Sequence, residues 1–465
     1  MLRPLIFMAL CCISADILAD DSWFNDIRDA GDDRALYQML HQMPKGGDLH
    51  NHNSGSVYSE QWLAHALASR EHGYHYYTKV RINNCRPYAA RDNTYHLLFR
   101  NIDQREYDSL DACEQGEFVA LEAMSPEEQA AWLDSFRLDK ATEGRDEFFE
   151  KHWQRLNALT NDPYIRVENL YLNAATLGAE GAIYAEFMVD VKDAYEADGT
   201  AIAPQEMLNR FRERMTQDDF KATGMTVRLQ LTLVRFVPGA EDLLRELYLL
   251  AAKNSDVVVG VDLVGREDND KGHPLRFLPV LRELRRHHDV GLAIHGGEVD
   301  EPNNHVRDTL LLGADRIGHG LNLITDDETM RLMRNGPYLV EINLISNLLL
   351  EYVVDYSQHP FPEYLRTDIP VALSTDDRGM WDSTLTDEFF VAVREFNLTW
   401  AEVRQLHLNS LTFALVDDAK KQQLIDRHEQ QIQRFERKMQ QRGLEKSKRL
   451  PDTRNFICDR YALCN

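Results

Sequence analysis

The chain of 465 residues lacks the long apolar run that a membrane-spanning helix requires. Its N-terminus has a charged start, an apolar run that ends at Ile13, and a small residue at Ala19. This order predicts a secretory signal peptide over residues 1–19, and a structural N-terminal helix is the alternative. We therefore expect an exported protein, periplasmic or extracellular, with no membrane attachment after cleavage.

Positive charge is also scarce, because 52 Lys and Arg residues face 76 Asp and Glu residues for a net charge of -24. Such a chain has no overall positive field to offset phosphate repulsion, so we expect no nucleic-acid partner. A hydrophobic content of 43% indicates an ordered globular protein. Internal repeats and low-complexity tracts are missing, and the length fits either one large barrel with insertions or two domains.

The sequence has only six cysteines, and signal cleavage would remove Cys11 and Cys12. An even number of remaining cysteines in an exported protein favours two disulfides. Four cysteines allow three pairings, and none of them has the CxxC spacing of a cysteine zinc site. Proximity in sequence favours the pairs Cys85–Cys113 and Cys458–Cys464.

Residue types suited to catalysis are concentrated between Gly291 and Gly320. Two strand-like runs in this stretch end in polar residues: the first delivers His295 and Glu298, and the second delivers His319. Residues 304–312 between them are apolar at helical spacing and predict a crossover helix. Catalytic residue types at the ends of alternating strands are typical of an α/β barrel, whereas buried structural histidines are the alternative.

The same strand–helix alternation predicts eight strands and hence a (β/α)8 TIM barrel. We interpret residues 20–42 as a helical extension, with one exposed amphipathic helix over 22–42, and residues 43–465 as the barrel. The alternation of strands and helices is interrupted over about 73–145. This interruption predicts an inserted lobe or long loop, with ordinary outer helices as the alternative. C-terminal helices follow over about 386–465. The other predicted strands lie near His50 and over 182–189, 226–236, 257–265, 338–344 and 370–377.

Candidate site residues lie at the C-terminal ends of the predicted strands, where a barrel carries its active site. His50 and His52 share one strand face, because side chains alternate along a strand with period two. Histidine nitrogens with one carboxylate suit zinc and leave a position for water. Ser346 and Asn347 follow the seventh strand and either line the site or cap the next helix. The other candidates at strand ends are Gly265, His295, Glu298, His319, Asp376 and Asp377.

Four motifs stand in the order found in adenosine deaminases, and the chain resembles that family from about Pro44 to Asp377. The motifs are Met43-Pro-Lys-Gly-Gly-Asp-Leu-His-Asn-His, His295-Gly-Gly-Glu, Arg316-Ile-Gly-His-Gly and Ser374-Thr-Asp-Asp. The predicted signal peptide, the cysteine-bearing insertion and Ile345-Ser-Asn more closely resemble the secreted branch, the adenosine deaminase growth factors. As in secreted relatives, the insertion and the N-terminal helix are candidate surfaces for a homodimer.

The resemblance implies a purine nucleoside substrate and specific roles for the site residues. Glu298 would donate a proton to purine N1, and His319 would orient the attacking water and take its proton. Asp377 would hydrogen-bond N7, and the backbone N–H of Gly265 would meet N3. Adenosine or 2′-deoxyadenosine would then become inosine or 2′-deoxyinosine with loss of ammonia. One zinc ion per chain would be bound by His50, His52, His295 and Asp376.

One departure from the family concerns the ribose 5′-hydroxyl. Relatives have an acidic residue just after the first-strand histidines, and this chain has Asn53 and Ser54. Both side chains can hydrogen-bond a hydroxyl, so nucleoside binding remains the expectation and a 5′-modified nucleoside is an alternative. His152 and Trp153 either line a ribose pocket or pack in the core.

Two other functions remain open. The same barrel and metal could act on another aminopurine or on an amidohydrolase-type ester or amide. The chain could also be a secreted binding or signalling protein on a deaminase scaffold. Loss of a metal ligand or of Glu298 would favour that second alternative, and all of them are present.

Overall fold

The structure, a computed structural model, describes residues 21–86, 94–447, 450 and 453–464. The predicted signal peptide over 1–19 lies outside the described residues. The strands assigned within them are β1 (Gly47–His52), β2 (Tyr76–Lys79), β3 (Asn101–Asp103), β4 (Phe118–Ala120), β5 (Tyr184–Val189), β6 (Thr226–Val234), β7 (Val258–Val264), β8 (Gly291–Gly296), β9 (Arg316–His319), β10 (Leu339–Ile342) and β11 (Val371–Leu373).

Eight of these strands form one sheet in the order β1-β5-β6-β7-β8-β9-β10-β11, and each neighbouring pair is parallel. The sheet closes on itself where Asn51 pairs with Asp376. At this seam His52 N donates to Asp376 O at 3.2 Å, and Asp376 N donates to His50 O at 2.9 Å. The predicted (β/α)8 barrel is confirmed, and each of its eight strands lies in a segment predicted from sequence.

Helices cover the outside of the barrel. The α-helices within the described residues are α1 (Ser22–Arg28), α2 (Asp33–Gln42), α3 (Ser59–Ala68), α4 (Gln104–Ser109), α5 (Ala112–Gln115), α6 (Pro126–Asp134), α7 (Arg145–Glu147), α8 (Trp153–Leu156), α9 (Pro163–Ala179), α10 (Pro204–Met215), α11 (Asp218–Ala222), α12 (Ala240–Lys253), α13 (Leu278–Leu284), α14 (His305–Leu312), α15 (Asp327–Asn335), α16 (Leu344–Leu349), α17 (Phe361–Arg366), α18 (Arg378–Trp381), α19 (Leu385–Phe396), α20 (Trp400–Thr412), α21 (Asp418–Arg442) and α22 (Asn455–Tyr461). A π-helical turn at Phe148–His152 connects α7 to α8. In the part of the chain that is described, no helix combines the length and the apolarity needed to cross a bilayer.

Local sequence signals explain where the crossover helices begin and end. The predicted crossover helix over 304–312 is α14, which ends at Gly313 with φ of 92°, a left-handed conformation that glycine adopts without strain. Helix α9 has Pro163 in its first turn, and the Asp162 carboxylate caps it by accepting from the backbone N–H of Tyr164. Such caps hold the helices in register with the strands that they connect.

The prediction of one exposed helix over 22–42 is wrong. Gly31 has φ of 69° and separates α1 from α2, because that left-handed turn breaks the helical path. Helix α2 is largely buried rather than exposed, and Leu36, Met39 and Leu40 belong to the main core. Tyr37 Oη donates to Asp387 at 2.8 Å and joins α2 to α19. The apolar face of the amphipathic pattern therefore packs against the barrel helices.

The region predicted as an insertion contains a separate antiparallel sheet in the order β3-β2-β4. The predicted disulfide Cys85–Cys113 is confirmed and lies beside this sheet. The other predicted disulfide, Cys458–Cys464, is also confirmed and links α22 to the segment after it.

Candidate metal and active site

Four side chains converge at the seam of the barrel: His50, His52, His295 and Asp376. One ligand atom from each lies within 4.8 Å of the others. Asp376 Oδ1 is 3.5 Å from His50 Nε2 and 3.3 Å from His52 Nε2. Three of the four residues are buried, and the His52 side chain is 15% exposed. The structure thus brings together all the residues that the resemblance implies as zinc ligands.

Two buried carboxylates orient the imidazoles. His50 Nδ1 is 2.8 Å from Glu341 Oε2, and His295 Nδ1 is 2.8 Å from Asp262 Oδ2. The His50 contact is a hydrogen bond that occupies one ring nitrogen, and the His295 contact is a close approach without hydrogen-bond geometry. Each contact leaves Nε2 for the centre of the cluster, the arrangement seen for histidine ligands in metal proteins. Glu341 is itself held by Arg316 Nε at 2.5 Å. Burial raises the pKa of Glu341, but Arg316 and His50 outweigh it and lower the pKa below its ordinary value.

Neither carboxylate was predicted from the sequence. Asp262 and Glu341 lie inside the apolar strands β7 and β10, and neither side chain is exposed. A charged residue in the middle of a buried strand is a signal in itself, because such a charge requires a partner. That signal could have identified the two residues as site residues.

Two of the four residues, His295 and Asp376, have protonation states that suit a metal ligand. Burial lowers the pKa of His295 well below its ordinary value, which keeps the ring neutral. Burial raises the pKa of Asp376, but the imidazoles of His50 and His52 outweigh this effect and hold it well below the ordinary value. His50 Nε2 is buried and has no hydrogen-bond partner among the described residues. Three imidazole nitrogens and one ionised carboxylate match the donor set of a catalytic zinc ion.

The backbone at the cluster is constrained. Asp376 and His319 have φ of 53° and 64°, a region that costs a non-glycine residue on the order of 1–3 kcal/mol. The seam hydrogen bonds hold Asp376 in this conformation. Gly318 has no room for a side chain, since a Cβ there would lie 2.7 Å from His50 Cε1. The close approach of the His50 ring to β9 therefore requires glycine.

Glu298 and His319 lie together beside the cluster. His319 Nε2 is 3.8 Å from Glu298 Oε1 and 4.0 Å from Asp376 Oδ2. Burial, and then the charge of Asp376, raise the pKa of Glu298 well above its ordinary value, so the carboxyl group can donate a proton. Burial lowers the pKa of His319 well below its ordinary value, so its ring is neutral.

A further buried carboxylate, Glu267, fixes the loop that carries Glu298. It accepts from the backbone N–H groups of Gly297 and Glu298 at 3.0 and 3.2 Å. Its other contacts are His305 Nδ1 at 2.8 Å and Arg235 Nη1 at 3.4 Å. Burial raises the pKa of Glu267, but Arg235 and His305 outweigh it and lower the pKa to about 2. Glu267 therefore holds Glu298 in position and contributes to the raised pKa of that group.

Asp377 lies next to the cluster and is buried. Its Oδ1 lies against Gly55, where a Cβ would be only 1.5 Å away, and has no hydrogen-bond partner among the described residues. Burial and the charge of Asp376 raise the pKa of Asp377 well above its ordinary value, so it can act as a hydrogen-bond donor. Gly265 is half-buried just after β7, where φ of 93° turns the chain at the strand end.

The residues predicted to contact the ribose 5′ end lie in different environments. Asn53 is buried, and its Nδ2 donates to Arg166 O at 3.0 Å while its Oδ1 accepts from Asn173 Nδ2 at 3.3 Å. The side chain thus joins the end of β1 to α9. Ser54 is half-buried.

The interpretation of Ser346 and Asn347 as helix caps is wrong, because both lie inside α16. The backbone N–H groups of Leu344 and Ile345 donate to the buried Glu388 carboxylate at 3.1 and 3.2 Å, which satisfies the start of that helix. The Nδ2 atom of Asn347 instead lies 3.1 Å from His319 Nδ1.

His152 and Trp153, predicted either to line a ribose pocket or to pack in the core, lie on the segment near His52. The Trp153 ring is 6.4 Å from the ring of His52, the most exposed ligand. His152 is buried, and both of its ring nitrogens have no hydrogen-bond partner among the described residues. Its Nε2 is 3.6 Å from Glu143 Oε1. Trp153 therefore borders the site, and His152 carries unsatisfied polar groups that ordinary core packing does not explain.

A parallel barrel that carries this ligand set at its C-terminal end defines a metal-dependent enzyme of the amidohydrolase type. The adenosine deaminase family model matches residues 119–431, which is more than half of the chain. The protein therefore belongs to the adenosine deaminase family.

The chain is similar to relatives named as deaminases, and it shares its fold with a solved structure. The chain is 28% identical over 274 residues to an adenine deaminase of Chelativorans sp., covering 58% of this chain and 79% of the relative. It is 24% identical over 421 residues to adenosine deaminase 2-A of Danio rerio, covering 85% and 80%. The fold matches the crystal structure of Arabidopsis ADAL in complex with GMP with a TM-score of 0.62 at 21% identity, covering 84% of this chain and 98% of that one.

Asp262→Asn is expected to weaken zinc binding by about 10-fold to 100-fold, because His295 loses the carboxylate that orients its ring. Zinc affinity is measured by competition with a chromophoric chelator. Asp256→Asn, at an exposed residue that pairs with Arg212 just before β7, is the control and should leave the affinity unchanged. An Asp262→Asn protein that binds zinc as tightly as the wild type would show that this contact does not support the ligand.

Proposed function

We propose that the protein catalyses the zinc-dependent hydrolytic deamination of adenosine and 2′-deoxyadenosine to inosine and 2′-deoxyinosine with release of ammonia. The observation that carries this proposal is a zinc-type ligand cluster with Glu298, His319 and Asp377 gathered beside it. Membership of the adenosine deaminase family supports the reaction type.

His50, His52, His295 and Asp376 would hold the zinc ion. When bound, zinc supplies a Lewis acid that lowers the pKa of a water molecule to about 7. The cluster is nearly closed to solvent, so bulk water competes little for the reacting atoms.

The other residues act on the purine ring. Glu298, protonated because of its burial, donates a proton to N1 and makes C6 more electrophilic. Asp377 is protonated for the same reason and donates a hydrogen bond to N7, which is an acceptor. The backbone N–H of Gly265 donates to N3, and His319 orients the attacking water. The site thus recognises the purine through its nitrogens while it activates C6.

A nucleoside is favoured over a free base or a nucleotide. The ring nitrogens of His152 and the Oε2 atom of Glu143, whose Oε1 lies 3.6 Å from His152, have no hydrogen-bond partner among the described residues and are suited to the hydroxyl groups of a sugar. The Glu143 carboxylate would repel a phosphate. Asn53 is engaged within the protein, so a 5′-modified aminopurine nucleoside remains the second candidate substrate. A binding or signalling role is disfavoured, because the ligands and Glu298 are all present and converge.

We also propose that the protein is exported, to the periplasm or the extracellular space, after removal of residues 1–19. The N-terminal sequence pattern and two disulfides support this proposal. Intact-mass measurement of the protein recovered outside the cytoplasm tests it, and retention of Met1 would contradict cleavage.

Zinc-loaded protein is expected to convert adenosine to inosine, and the conversion is monitored by ultraviolet absorbance. Chelation should abolish the reaction and added zinc should restore it, because zinc lowers the pKa of the attacking water and His319 only orients that water. Adenine and adenosine 5′-monophosphate, assayed in parallel, should react more slowly than adenosine. Absence of any change with adenosine and 2′-deoxyadenosine would refute the proposed substrates, and faster turnover of adenine or of the nucleotide would reassign them.

Glu298→Gln is expected to retain the fold and the zinc ion but to lose about 10²-fold to 10⁴-fold of turnover, because the amide cannot protonate N1. Zinc content and the circular dichroism spectrum are measured alongside the rate. Glu301→Gln alters an exposed residue of the same loop and serves as the control. Near-full activity of Glu298→Gln would show that another group protonates the purine.

A further inference from the structure

His319 is the end of a buried chain of hydrogen-bonding side chains that begins at a backbone amide. The backbone N–H of Phe361 donates to His359 Nδ1 at 3.1 Å. His359 Nε2 lies 3.0 Å from Asn347 Oδ1, and Asn347 Nδ2 lies 3.1 Å from His319 Nδ1. His359, Asn347 and His319 are all buried, with 3% or less of their surface exposed.

The roles of donor and acceptor follow along this chain from its first member. A backbone N–H can only donate, so His359 Nδ1 must accept and the hydrogen of the neutral ring is on Nε2. His359 is neutral, since burial lowers its pKa to about 3. Its Nε2–H then donates to Asn347 Oδ1, which turns the amide NH2 of Asn347 toward His319. His319 Nδ1 must therefore accept.

We infer that Asn347 and His359 are positioning residues that hold His319 in the tautomer in which Nδ1 accepts and the ring hydrogen is on Nε2. That nitrogen is the one that faces Glu298 and Asp376, at 3.8 and 4.0 Å. This inference rests on the proposed function for its catalytic meaning, and it refines the role of His319. A ring with hydrogen on Nε2 orients the attacking water by donating to it, so neutral His319 does not take the proton of that water.

The other amide near the ring does not change this assignment. Asn343 Nδ2 is 3.4 Å from His319 Nδ1 and 3.5 Å from His319 Nε2. It is thus almost equally distant from both nitrogens and lies at the long limit of a hydrogen bond, so it favours neither tautomer. Asn347, at the shorter distance, decides between them.

Backbone hydrogen bonds hold Asn347 and His359 in place, the two residues that form the relay between Phe361 and His319. Asn347 N donates to Asn343 O at 3.0 Å within the first turns of α16, and Asn347 O accepts from Tyr352 N at 3.0 Å. His359 N donates to Tyr356 O at 3.1 Å, just before α17. Among the described residues, the side chains of Asn347 and His359 have no other hydrogen-bond partner that would require a different orientation. The amide of Asn347 is thus set by its two histidine neighbours.

The direct test is nitrogen NMR of zinc-loaded wild-type protein labelled with ¹⁵N in histidine. The His319 signals are identified by their loss in His319→Gln. A neutral ring with hydrogen on Nε2 and a bare Nδ1 is the expected result. Hydrogen on Nδ1 would overturn the inference. The NMR measurement does not depend on turnover. Its outcome is therefore independent of the adenosine assay, which tests the proposed function.

Asn347→Asp provides the second test, because a carboxylate accepts from both neighbouring rings. His319 should then carry hydrogen on Nδ1, and kcat should fall by about 10-fold to 100-fold while zinc content stays at the wild-type level. The pH profile of kcat should also change, which loss of packing alone would not produce. Gln358→Glu makes the same amide-to-acid change at an exposed neighbour of His359 and is the control.

A wild-type tautomer and pH profile in folded, zinc-loaded Asn347→Asp would overturn the positioning role. His359→Gln is the reserve variant if Asn347→Asp does not fold. It removes the ring that fixes the Asn347 amide, so His319 should show both tautomers. A single, unchanged His319 tautomer in His359→Gln would likewise contradict the relay.

Discussion

The barrel is closed through Asp376, and the same residue supplies the carboxylate of the metal cluster. Its backbone N–H donates to His50 O, and its backbone C=O accepts from His52 N. These two hydrogen bonds fix the first and last strands of the barrel against each other. Its side chain then lies 3.5 and 3.3 Å from the two imidazoles. Closure of the sheet and assembly of the site are therefore one event. A barrel that did not close would have no ligand set.

Burial of so many ionisable groups at one place separates their pKa values. Asp376 stays ionised because imidazoles surround it, and its charge helps to keep Asp377 and Glu298 protonated. Burial lowers the pKa of His319, so its ring is neutral. Neighbouring groups whose pKa values are pushed in opposite directions are the usual basis of acid–base chemistry in an enzyme. Here one low-dielectric pocket provides an ionised ligand and two proton donors together.

The strands and most of the site residues could be predicted from sequence, because each candidate follows an apolar run of strand length. His50 and His52 share a face for a reason that is purely local. The supporting contacts are not local: Glu341 is 291 residues from His50. No short motif records such a contact, which is set by the order of strands around the barrel. The exposed N-terminal helix was mispredicted because its apolar face packs on a helix far away in sequence.

We propose that residues from the first, fifth and eighth barrel strands bind one zinc ion. Diffraction data from crystals of zinc-loaded protein, collected on both sides of the zinc absorption edge, test it most directly. We expect one anomalous peak per chain, within bonding distance of His50, His52, His295 and Asp376. A strong peak elsewhere, or none at the seam of a fully loaded barrel, would contradict it.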